Sequence, residues 1–336
     1  MVTEPVLVGS GGGGGAGAGS VAFAQRAERL LGSLGQVVRG KPELLRQALA
    51  CVLAEGHLLI EDVPGTGKTS LARALAAAVQ LEWSRIQFTP DLLPADVTGV
   101  SIYNQATGAF EFRRGPVFAN VVVADEINRA SPKTQSALLE VMEERTVTTD
   151  AVIYPVPRPF VVVATQNPVD MEGTYPLPEA QLDRFLMRLS VGYPSADAEA
   201  DILRREKDGP TVDHLTPAID GRDLLGMIAH VRTVEVSPAM EDYIVAVVAA
   251  TRAAPEVRLG ASPRGSLALL RAARAWAATE DRPFTTPDDV KACARPVLCH
   301  RLLLRPEAEL QGRSAADVVD RALEQVPVPR QSTSTR

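Results

Sequence analysis

The chain of 336 residues has 46% hydrophobic and 23% charged side chains, the composition of an ordinary soluble globular protein. At about 150 residues per domain, this length predicts about two domains. The formal net charge of −6 argues against constitutive binding to nucleic acid or to an anionic membrane. Three cysteines without a Cys-x-x-Cys pair indicate reduced thiols in the cytoplasm rather than a disulfide framework.

The first residues of the chain lack the apolar segment that a secretory signal carries. Residues 9–20 are almost entirely glycine, alanine and serine, so residues 1–20 are predicted to form a disordered, glycine-rich leader. Residues 327–336 are predicted to form a flexible tail. No stretch approaches 18 uninterrupted apolar residues, so no transmembrane helix is expected.

Short apolar strands alternate with amphipathic helices over residues 21–194, which predicts an α/β core around a parallel sheet. The strand candidates are rich in valine and isoleucine and apolar at successive positions, as expected for strands covered on both faces. They are Leu58–Ile60, Arg85–Phe88, Val121–Ala124, Phe160–Ala164 and Leu186–Val191. Over residues 195–326 only helical patterns remain, so a second, all-helical domain is predicted there.

Four helix starts are marked by a hydroxyl residue followed by proline. The hydroxyl predicts the N-cap, and the proline predicts the first helical position. The pairs are Ser131-Pro132, Ser237-Pro238, Ser262-Pro263 and Thr286-Pro287.

Two β-hairpins outside the sheet are predicted between the second and third strands. One covers about residues 99–115 with a turn at Thr107-Gly108, and the other covers about residues 146–160. They are either plain surface hairpins or insertions that carry function, as insertions on α/β cores often do. Arg113 and Arg114, at the end of the first hairpin, could line a pore, pair across subunits or simply be solvated.

A glycine-rich loop follows the first strand and opens a helix with an apolar face. It reads Asp62-Val63-Pro64-Gly65-Thr66-Gly67-Lys68-Thr69-Ser70, with Asp62 where a first glycine is usual. Its glycines let backbone N–H groups surround a β-phosphate, and the helix N-terminus adds partial positive charge. Lys68 can then reach the β- and γ-phosphates, and the Thr69 hydroxyl can ligate Mg²⁺. The loop therefore predicts a nucleotide site.

Two acids, Asp125 and Glu126, end the third strand. A buried strand would deliver both carboxylates to the carboxyl edge of the sheet, where α/β proteins bind ligands. There Asp125 would hold Mg²⁺ through water, and Glu126 would accept a proton from the attacking water or orient it. A plain turn is the alternative, but the position about 57 residues after Lys68 in the same α/β unit favours catalysis.

Three polar residues further along the chain are candidates for the same site. Asn167 follows the fourth strand and could position water beside Glu126, although a simple Asn-Pro turn would look the same. Arg184 precedes the last strand, and Arg264 lies in the first turn of a predicted helix, where a cation is mildly unfavourable against the helix dipole. An arginine there indicates an anion nearby, while a solvated surface arginine is the alternative for both.

Cys293, Cys299 and His300 cluster near one predicted helix and could bind a metal ion. Their spacing fits no common zinc module, and Pro296 interrupts the helix between them. Core packing is the favoured interpretation.

Together these motifs resemble the MoxR family of AAA+ ATPases. The resemblance covers about residues 36–300 and is carried by long runs in the order that the family has. The runs are residues 88–99, 115–120, 124–140, 164–168, 172–185 and Ser262-Pro263-Arg264. The resemblance implies a P-loop αβα core with a five-stranded parallel sheet and inserted hairpins, an all-helical lid, ATP and Mg²⁺ between them, and a homo-oligomeric ring, usually a hexamer.

The same resemblance assigns roles to single residues. Asn167 resembles the residue called sensor 1, and Arg264 resembles sensor 2, expected to reach the nucleotide when the lid packs over the core. Arg184 resembles the arginine finger that acts on the ATP of a neighbouring subunit. Asp62 departs from the general P-loop pattern, as it does in similar MoxR sequences.

The function implied by the resemblance is an ATP-driven, chaperone-like motor that remodels or matures protein partners. A von Willebrand factor A-domain protein is the implied partner, and metal or cofactor insertion the implied purpose. Alternatives are a magnesium-chelatase-like ATPase subunit, a DNA-associated AAA+ motor and a small-molecule kinase. The acidic net charge argues against DNA. The sensor-like Asn167 and Arg264 argue against a kinase.

Overall fold

A computed structural model of the protein describes residues 15–62, 67–167, 174–204 and 211–329. The strands are β1 (Leu58–Glu61), β2 (Trp83–Gln87), β3 (Gly99–Asn104), β4 (Ala109–Arg114), β5 (Val121–Asp125), β6 (Thr146–Thr149), β7 (Val152–Pro155), β8 (Val161–Gln166), β9 (Met187–Leu189), β10 (Val257–Leu259) and β11 (Leu303–Leu304). The helices are α1 (Gly15–Val37), α2 (Pro42–Leu53), α3 (Lys68–Ala78), α4 (Pro94–Thr98), α5 (Pro132–Glu144), α6 (Glu179–Leu182), α7 (Ala196–Arg204), α8 (Gly221–Val231), α9 (Pro238–Ala253), α10 (Pro263–Thr279), α11 (Pro287–Leu298), α12 (Pro306–Leu310) and α13 (Ala315–Gln325).

The central sheet is five-stranded and parallel, in the order β2-β5-β8-β1-β9, which confirms the predicted α/β core. All five predicted strands are present, with ends that differ by a few residues. Strand β2 begins at Trp83, two residues earlier than predicted, because this edge strand is buried only at Ile86 and lacks a continuous apolar run. By contrast, β5 is buried along its whole length.

Alternate residues of the central strands face two apolar cores. Leu58 and Ile60 of β1 pack in a core with α1, α2, α3 and the helices of the second domain. Leu59 packs in the other core, with α5 and Phe160. The sheet is therefore the middle layer of three, and the predicted αβα arrangement is confirmed.

The two predicted hairpins are β3–β4 and β6–β7, both antiparallel and outside the central sheet. The second one lies between β5 and β8, the third and fourth strands of the sheet, so its predicted position in the chain was wrong. The hairpins pack on each other, with the rings of Phe112 and Tyr154 stacked 4.4 Å apart. Gly99 and Gly115 close the base of the first hairpin, where a Cβ on Gly115 would lie 2.4 Å from the Val97 carbonyl oxygen.

The second domain consists mainly of helices, three of which begin at the predicted N-caps Ser237, Ser262 and Thr286. The fourth predicted N-cap, Ser131, begins α5 of the α/β core. The second domain is not wholly helical as predicted, because β10 and β11 form a short antiparallel ladder. Val257 and Leu304 of this ladder pack with Val318 in a small core of their own. Strands of two and three residues are too short to produce a recognisable periodicity in the sequence.

Helix α1 begins at Gly15, within the segment predicted to be a disordered leader. Its buried residues Phe23, Ala27, Leu30 and Leu34 recur at helical spacing and pack in the main core. Residues 1–14 and 330–336 lie outside the described residues, so the rest of the predicted leader and most of the predicted tail stay predictions. Among the helices of the described ranges, none is both long enough and apolar enough to cross a bilayer.

His57 joins three elements where β1 begins. Its Nε2 lies 3.1 Å from the Met142 carbonyl oxygen at the end of α5, and its Nδ1 accepts a hydrogen bond of 3.0 Å from the Val162 N–H of β8. The ring is buried, and this burial lowers the pKa of His57 to about 3, with the positive charge of Arg145 acting in the same direction. The folded protein therefore holds a neutral imidazole.

This neutral imidazole predicts acid sensitivity. An unfolded histidine takes up a proton below its pKa of about 6.5, whereas folded His57 does not, so unfolding becomes easier as the pH falls from about 6.5 towards 3 and is unaffected above that window. At pH 5 the lowered pKa of His57 reduces the free energy of unfolding by about 2 kcal/mol. The free energy of unfolding in urea should therefore differ less between pH 7.5 and pH 5.0 for His57→Gln than for the unmodified chain. The matched control is His214→Gln at an exposed position. An undiminished difference in His57→Gln would contradict the assignment.

Candidate nucleotide site

The loop after β1 leads directly into the N-terminus of α3. Gly67 precedes the helix with a φ of 86°, a backbone conformation that glycine adopts readily and other residues rarely do. Lys68 and Thr69 then form the first turn, with Ser70 exposed beside them. Val63, Pro64, Gly65 and Thr66 lie outside the described residues, so their place in the loop stays a prediction.

Asp125 at the end of β5 lies next to Thr69. The Thr69 hydroxyl is 3.2 Å from both carboxylate oxygens of Asp125, which also accept hydrogen bonds from Arg85 Nε at 2.7 Å and Thr165 Oγ1 at 3.3 Å. Hydroxyl and carboxylate oxygens are hard donors of the kind that Mg²⁺ prefers. The two residues predicted as metal ligands are thus adjacent, and their chemistry fits that ion.

Glu126 is fixed at the same edge of the sheet in an unusual backbone conformation. Its φ of 55° is uncommon for a residue with a side chain, and its N–H donates to Thr165 Oγ1 at 2.9 Å. Its carboxylate accepts hydrogen bonds from Gln87 Nε2 at 3.2 Å and Arg129 Nη1 at 2.8 Å. The side chain is therefore oriented by groups from the neighbouring strand and from the turn that follows β5.

The Lys68 ammonium lies close to the acids of this edge. Its Nζ donates to the Asp62 carbonyl oxygen at 2.5 Å. Burial lowers the pKa of Lys68, and the charges of Asp62, Glu126 and Asp125 oppose that shift. A cation held between the loop and two acids can interact with the terminal phosphates of a nucleotide.

Asp62 has a structural role that its position in the glycine-rich loop does not indicate. Its carboxylate accepts hydrogen bonds from the Ser190 hydroxyl, at 3.2 Å, and from the Gly192 N–H. These bonds join the end of β1 to the segment after β9. The side chain of Asp62 thus connects two strands of the sheet, while its backbone carbonyl contacts Lys68.

Asn167 follows β8 directly and so lies at the same carboxyl edge as Glu126, because β5 and β8 are adjacent and parallel. Its carbonyl oxygen accepts a hydrogen bond from Asn128 Nδ2 at 3.3 Å. The position agrees with the predicted arrangement of neighbouring strands. The role of its side chain in orienting water stays a prediction.

Arg184 and Arg264 meet on one carboxylate. Arg184 Nη2 lies 3.0 Å from Glu143 Oε2, and Arg264 Nη2 donates to Glu143 Oε1. Arg184 comes from the turn after α6, Arg264 from the first turn of α10, and Glu143 from the last turn of α5. Three elements distant in the sequence thus form one compact charged cluster.

This arginine cluster, Arg184 with Arg264 and Glu143, lies at the amino edge of the sheet. It borders a cavity of about 270 Å³ that is also lined by Gly56 and His57, which precede β1. Lys68 and Asp125 stand at the opposite edge, after the strands. Within one chain Arg264 therefore lies at the edge opposite Lys68, and its expected contact with a nucleotide stays a prediction.

Several residues at the two edges were missed in the sequence. Arg85 and Gln87 alternate with the buried Ile86 at the end of β2, and this period of two could have revealed them. Glu143 and Asp183 offered no such signal, because their partners belong to other elements far away in the sequence, 79 positions for Ser262 and 118 for Arg301 in the case of Asp183. Cys293, considered as a metal ligand, is fully buried in the main core among lid helices.

Comparisons with known proteins agree with the fold. The family described as "ATPase family associated with various cellular activities (AAA)" matches residues 57–187, and the AAA lid domain matches residues 249–322. A crystal structure of a candidate ATPase from Cytophaga hutchinsonii superposes with a TM-score of 0.87 at 38% identity, over 94% of this chain and 98% of that one.

Curated relatives match nearly the full length. The protein YeaC of Bacillus subtilis is 48% identical over 94% of this chain and 100% of its own. Chaperone MoxR1 of Mycobacterium tuberculosis is 42% identical over 90% and 82%, and MoxR of Paracoccus denitrificans is 34% identical over 88% and 94%. With Lys68 and Thr69 at the start of α3, Asp125 and Glu126 at the end of β5 and a mainly helical second domain, the chain belongs to the MoxR family of AAA+ ATPases.

Proposed function

We propose that the protein hydrolyses ATP in a homo-oligomeric ring, with each nucleotide held between two subunits. One subunit supplies the P-loop edge with Lys68, Thr69, Asp125 and Glu126. Its neighbour supplies the arginine cluster. A hexamer, the usual ring of the family, is the proposed assembly.

The observation that carries this proposal is the position of the two arginines at the edge opposite Lys68. One chain cannot bring both edges to the same phosphate, whereas two chains in a ring can. In the single chain, the Glu143 carboxylate lies between the two guanidinium groups. A pair of arginines that shares one anionic group has the spacing to share a phosphate as well.

The chemistry follows from the groups at the two edges. Glu126 would accept the proton of the attacking water, with Asn167 orienting that water. Mg²⁺ bound by Thr69 and Asp125 would neutralise phosphate charge. The arginines of the neighbour would stabilise charge on the γ-phosphate as bond breaking proceeds.

The substrate of the motor is proposed to be a protein. The relative named Chaperone MoxR1 supports this class of client. The two hairpins, which pack together, expose Ile102, Tyr103, Phe110 and Ile153 to solvent, and exposed apolar groups of this kind suit contact with polypeptide. A von Willebrand factor A-domain partner, metal or cofactor insertion and a cytoplasmic location are proposed from the family resemblance.

Mixing two inactive variants tests the shared site. Arg184→Ala retains an intact P-loop edge, and Glu126→Gln retains an intact arginine cluster. Mixed rings should therefore contain some sites with an intact Glu126 opposite an intact Arg184, and ATPase activity should rise and then fall with the mixing ratio. The measurement is steady-state phosphate release, with subunit exchange verified by a fluorescence label on each variant.

The control for this experiment is a mixture of Lys68→Ala with Glu126→Gln. Both changes damage the same edge, so no mixed site is complete and activity should stay absent. Inactivity of the Arg184→Ala mixture at every ratio, with exchange demonstrated, would show that the arginine does not act across subunits.

A further inference from the structure

We propose that Asp183 is a positioning residue that holds Arg184 and Arg264 in register as one anion-binding pair. This inference rests on the proposed shared site and adds to it a residue that does not touch the nucleotide. The carboxylate of Asp183 joins the segment carrying Arg184 to the helix carrying Arg264.

The two oxygens of Asp183 have different partners. Oδ1 accepts a hydrogen bond of 2.7 Å from Arg301 Nε, and Oδ2 accepts one of 3.0 Å from the Ser262 hydroxyl. Asp183 directly precedes Arg184, and Ser262 is the N-cap of α10, two residues before Arg264. A single carboxylate thus connects the backbone segments that carry the two arginines.

The Ser262 hydroxyl takes part in two hydrogen bonds, one donated and one accepted. Its oxygen accepts a hydrogen bond of 3.2 Å from the Arg264 N–H, while its O–H donates to Asp183. The start of α10 therefore cannot rotate without breaking either the cap or the bond to Asp183. This restraint fixes the direction in which the Arg264 side chain leaves the helix.

Arg301, which lies inside the protein, binds the turn at residues 183–186. Its side chain is only 3% exposed, and it donates to the carbonyl oxygens of Phe185 at 2.7 Å, Asp183 at 3.2 Å and Leu186 at 3.3 Å. A guanidinium buried to this degree is costly unless its donors are satisfied. Because most of its partners lie in residues 183–186, Arg301 fixes the turn that carries Arg184.

Close packing at α10 supports the same conclusion independently of these hydrogen bonds. A Cβ on Gly265 would lie 3.1 Å from the Ala261 Cβ and 3.4 Å from the Arg301 Cδ. The absence of a side chain at Gly265 lets the first turn of α10 approach the stem of Arg301. Arg264, on the preceding position, is thereby held against the segment that bears Arg184.

Buried ion pairs of this kind contribute little net stability compared with apolar residues of the same volume, but they restrict geometry. Two arginines that must meet one phosphate group require such restriction, since a displacement of about 1 Å can reduce the rate about a hundredfold. The role of Asp183 is therefore expected to show in turnover rather than in binding of the subunit's own nucleotide.

The test is Asp183→Asn, which keeps the shape but removes the charge that pairs with Arg301. We expect kcat for ATP to fall about tenfold to a hundredfold, while the Kd of a fluorescent ATP analogue at the subunit's own P-loop edge stays unchanged. Mixing Asp183→Asn with Glu126→Gln should restore activity, because the defect lies in what the subunit supplies to its neighbour. A loss caused by general destabilisation would not be restored in this way.

The matched control is Asp289→Asn. Asp289 also pairs with an arginine, Arg282, at 2.6 Å and takes part in the capping box of α11, but among the described residues it has no bond to the arginine cluster. The Asp289→Asn protein should lose stability to a similar extent and keep its ATP turnover. If Asp183→Asn does not fold, Ser262→Gly replaces it, because glycine is well tolerated at an N-cap while the bond to Asp183 is lost.

Wild-type turnover in both Asp183→Asn and Ser262→Gly would overturn the inference. So would a loss that mixing with Glu126→Gln does not restore, provided that Arg184→Ala is restored under the same conditions. If the Arg184→Ala mixture also stays inactive, the proposed shared site itself is wrong.

Discussion

A Glu126→Gln protein should bind ATP normally and hydrolyse it about 10²–10⁴-fold more slowly than the unmodified chain. The amide keeps the size of the side chain and can still hydrogen-bond to Gln87 and Arg129, but it cannot accept a proton from water. Lys68 and Thr69 are untouched, so the phosphates keep their partners. Equilibrium binding of a fluorescent ATP analogue and single-turnover hydrolysis would measure the two quantities separately.

Lys68→Ala should differ from Glu126→Gln in the binding assay. It removes the cation that lies between the loop and the two acids, so nucleotide binding itself should be lost. Glu140→Gln on the exposed face of α5 removes one negative charge elsewhere and should alter neither quantity. Equal loss of ATP binding in Glu126→Gln and Lys68→Ala would refute the division of roles between them.

Arg184→Ala should reduce ATP turnover about 10³–10⁵-fold, the range seen when an arginine that acts across subunits or partners is removed from phosphoryl transfer. The charge on the γ-phosphate would lose a guanidinium at the point where it is largest. Arg264→Ala should lower turnover in the same direction, because both arginines converge on one anionic group. Binding of ATP to the subunit's own loop should persist in both variants. Steady-state turnover and equilibrium binding, measured on the same proteins, would separate the loss of rate from the unchanged affinity.

Arg295→Ala is the matched control for the arginine variants. Arg295 also forms an ion pair, with Asp320, but it lies on α11 away from the cluster. Its replacement should leave turnover unchanged. Retention of wild-type turnover in Arg184→Ala would mean that this arginine is a surface residue without a catalytic role.

The nucleotide edge was largely predictable because its signals are local in the sequence. A strand, a glycine-rich loop and a helix start lie within a dozen residues around Lys68, and Asp125 with Glu126 ends an unbroken apolar run. Parallel strands bring their carboxyl ends to one edge, so the meeting of Thr69 and Asp125 follows from the fold class alone. The resemblance to a known family assigned Arg184 and Arg264 their importance.

Local patterns also misled in identifiable places. The position of Asp62 in the loop predicts a place in the nucleotide site but gives no sign that its carboxylate accepts hydrogen bonds from Ser190 and Gly192 beyond the last strand. The ladder of β10 and β11 escaped notice because strands this short leave no periodic trace. Helix α1 extends into a glycine-rich stretch because tertiary packing of Phe23 and Leu30 stabilises the helix that follows.

The sequence by itself determined the fold class, the succession of the five sheet strands along the chain and the helix caps. It also predicted the candidate phosphate-binding residues and the two acids at the end of β5. These features depend on neighbours within a few positions, through hydrogen bonds, helical spacing and strand burial. Only the tertiary structure decided which edge of the sheet carries Arg184 and Arg264, and that Glu143, Asp183 and Arg301 contact these arginines or the segments that carry them. That arrangement depends on how α5, α10 and the turn before β9 pack, and ion pairs between segments so far apart in the sequence leave no local pattern from which they could be predicted.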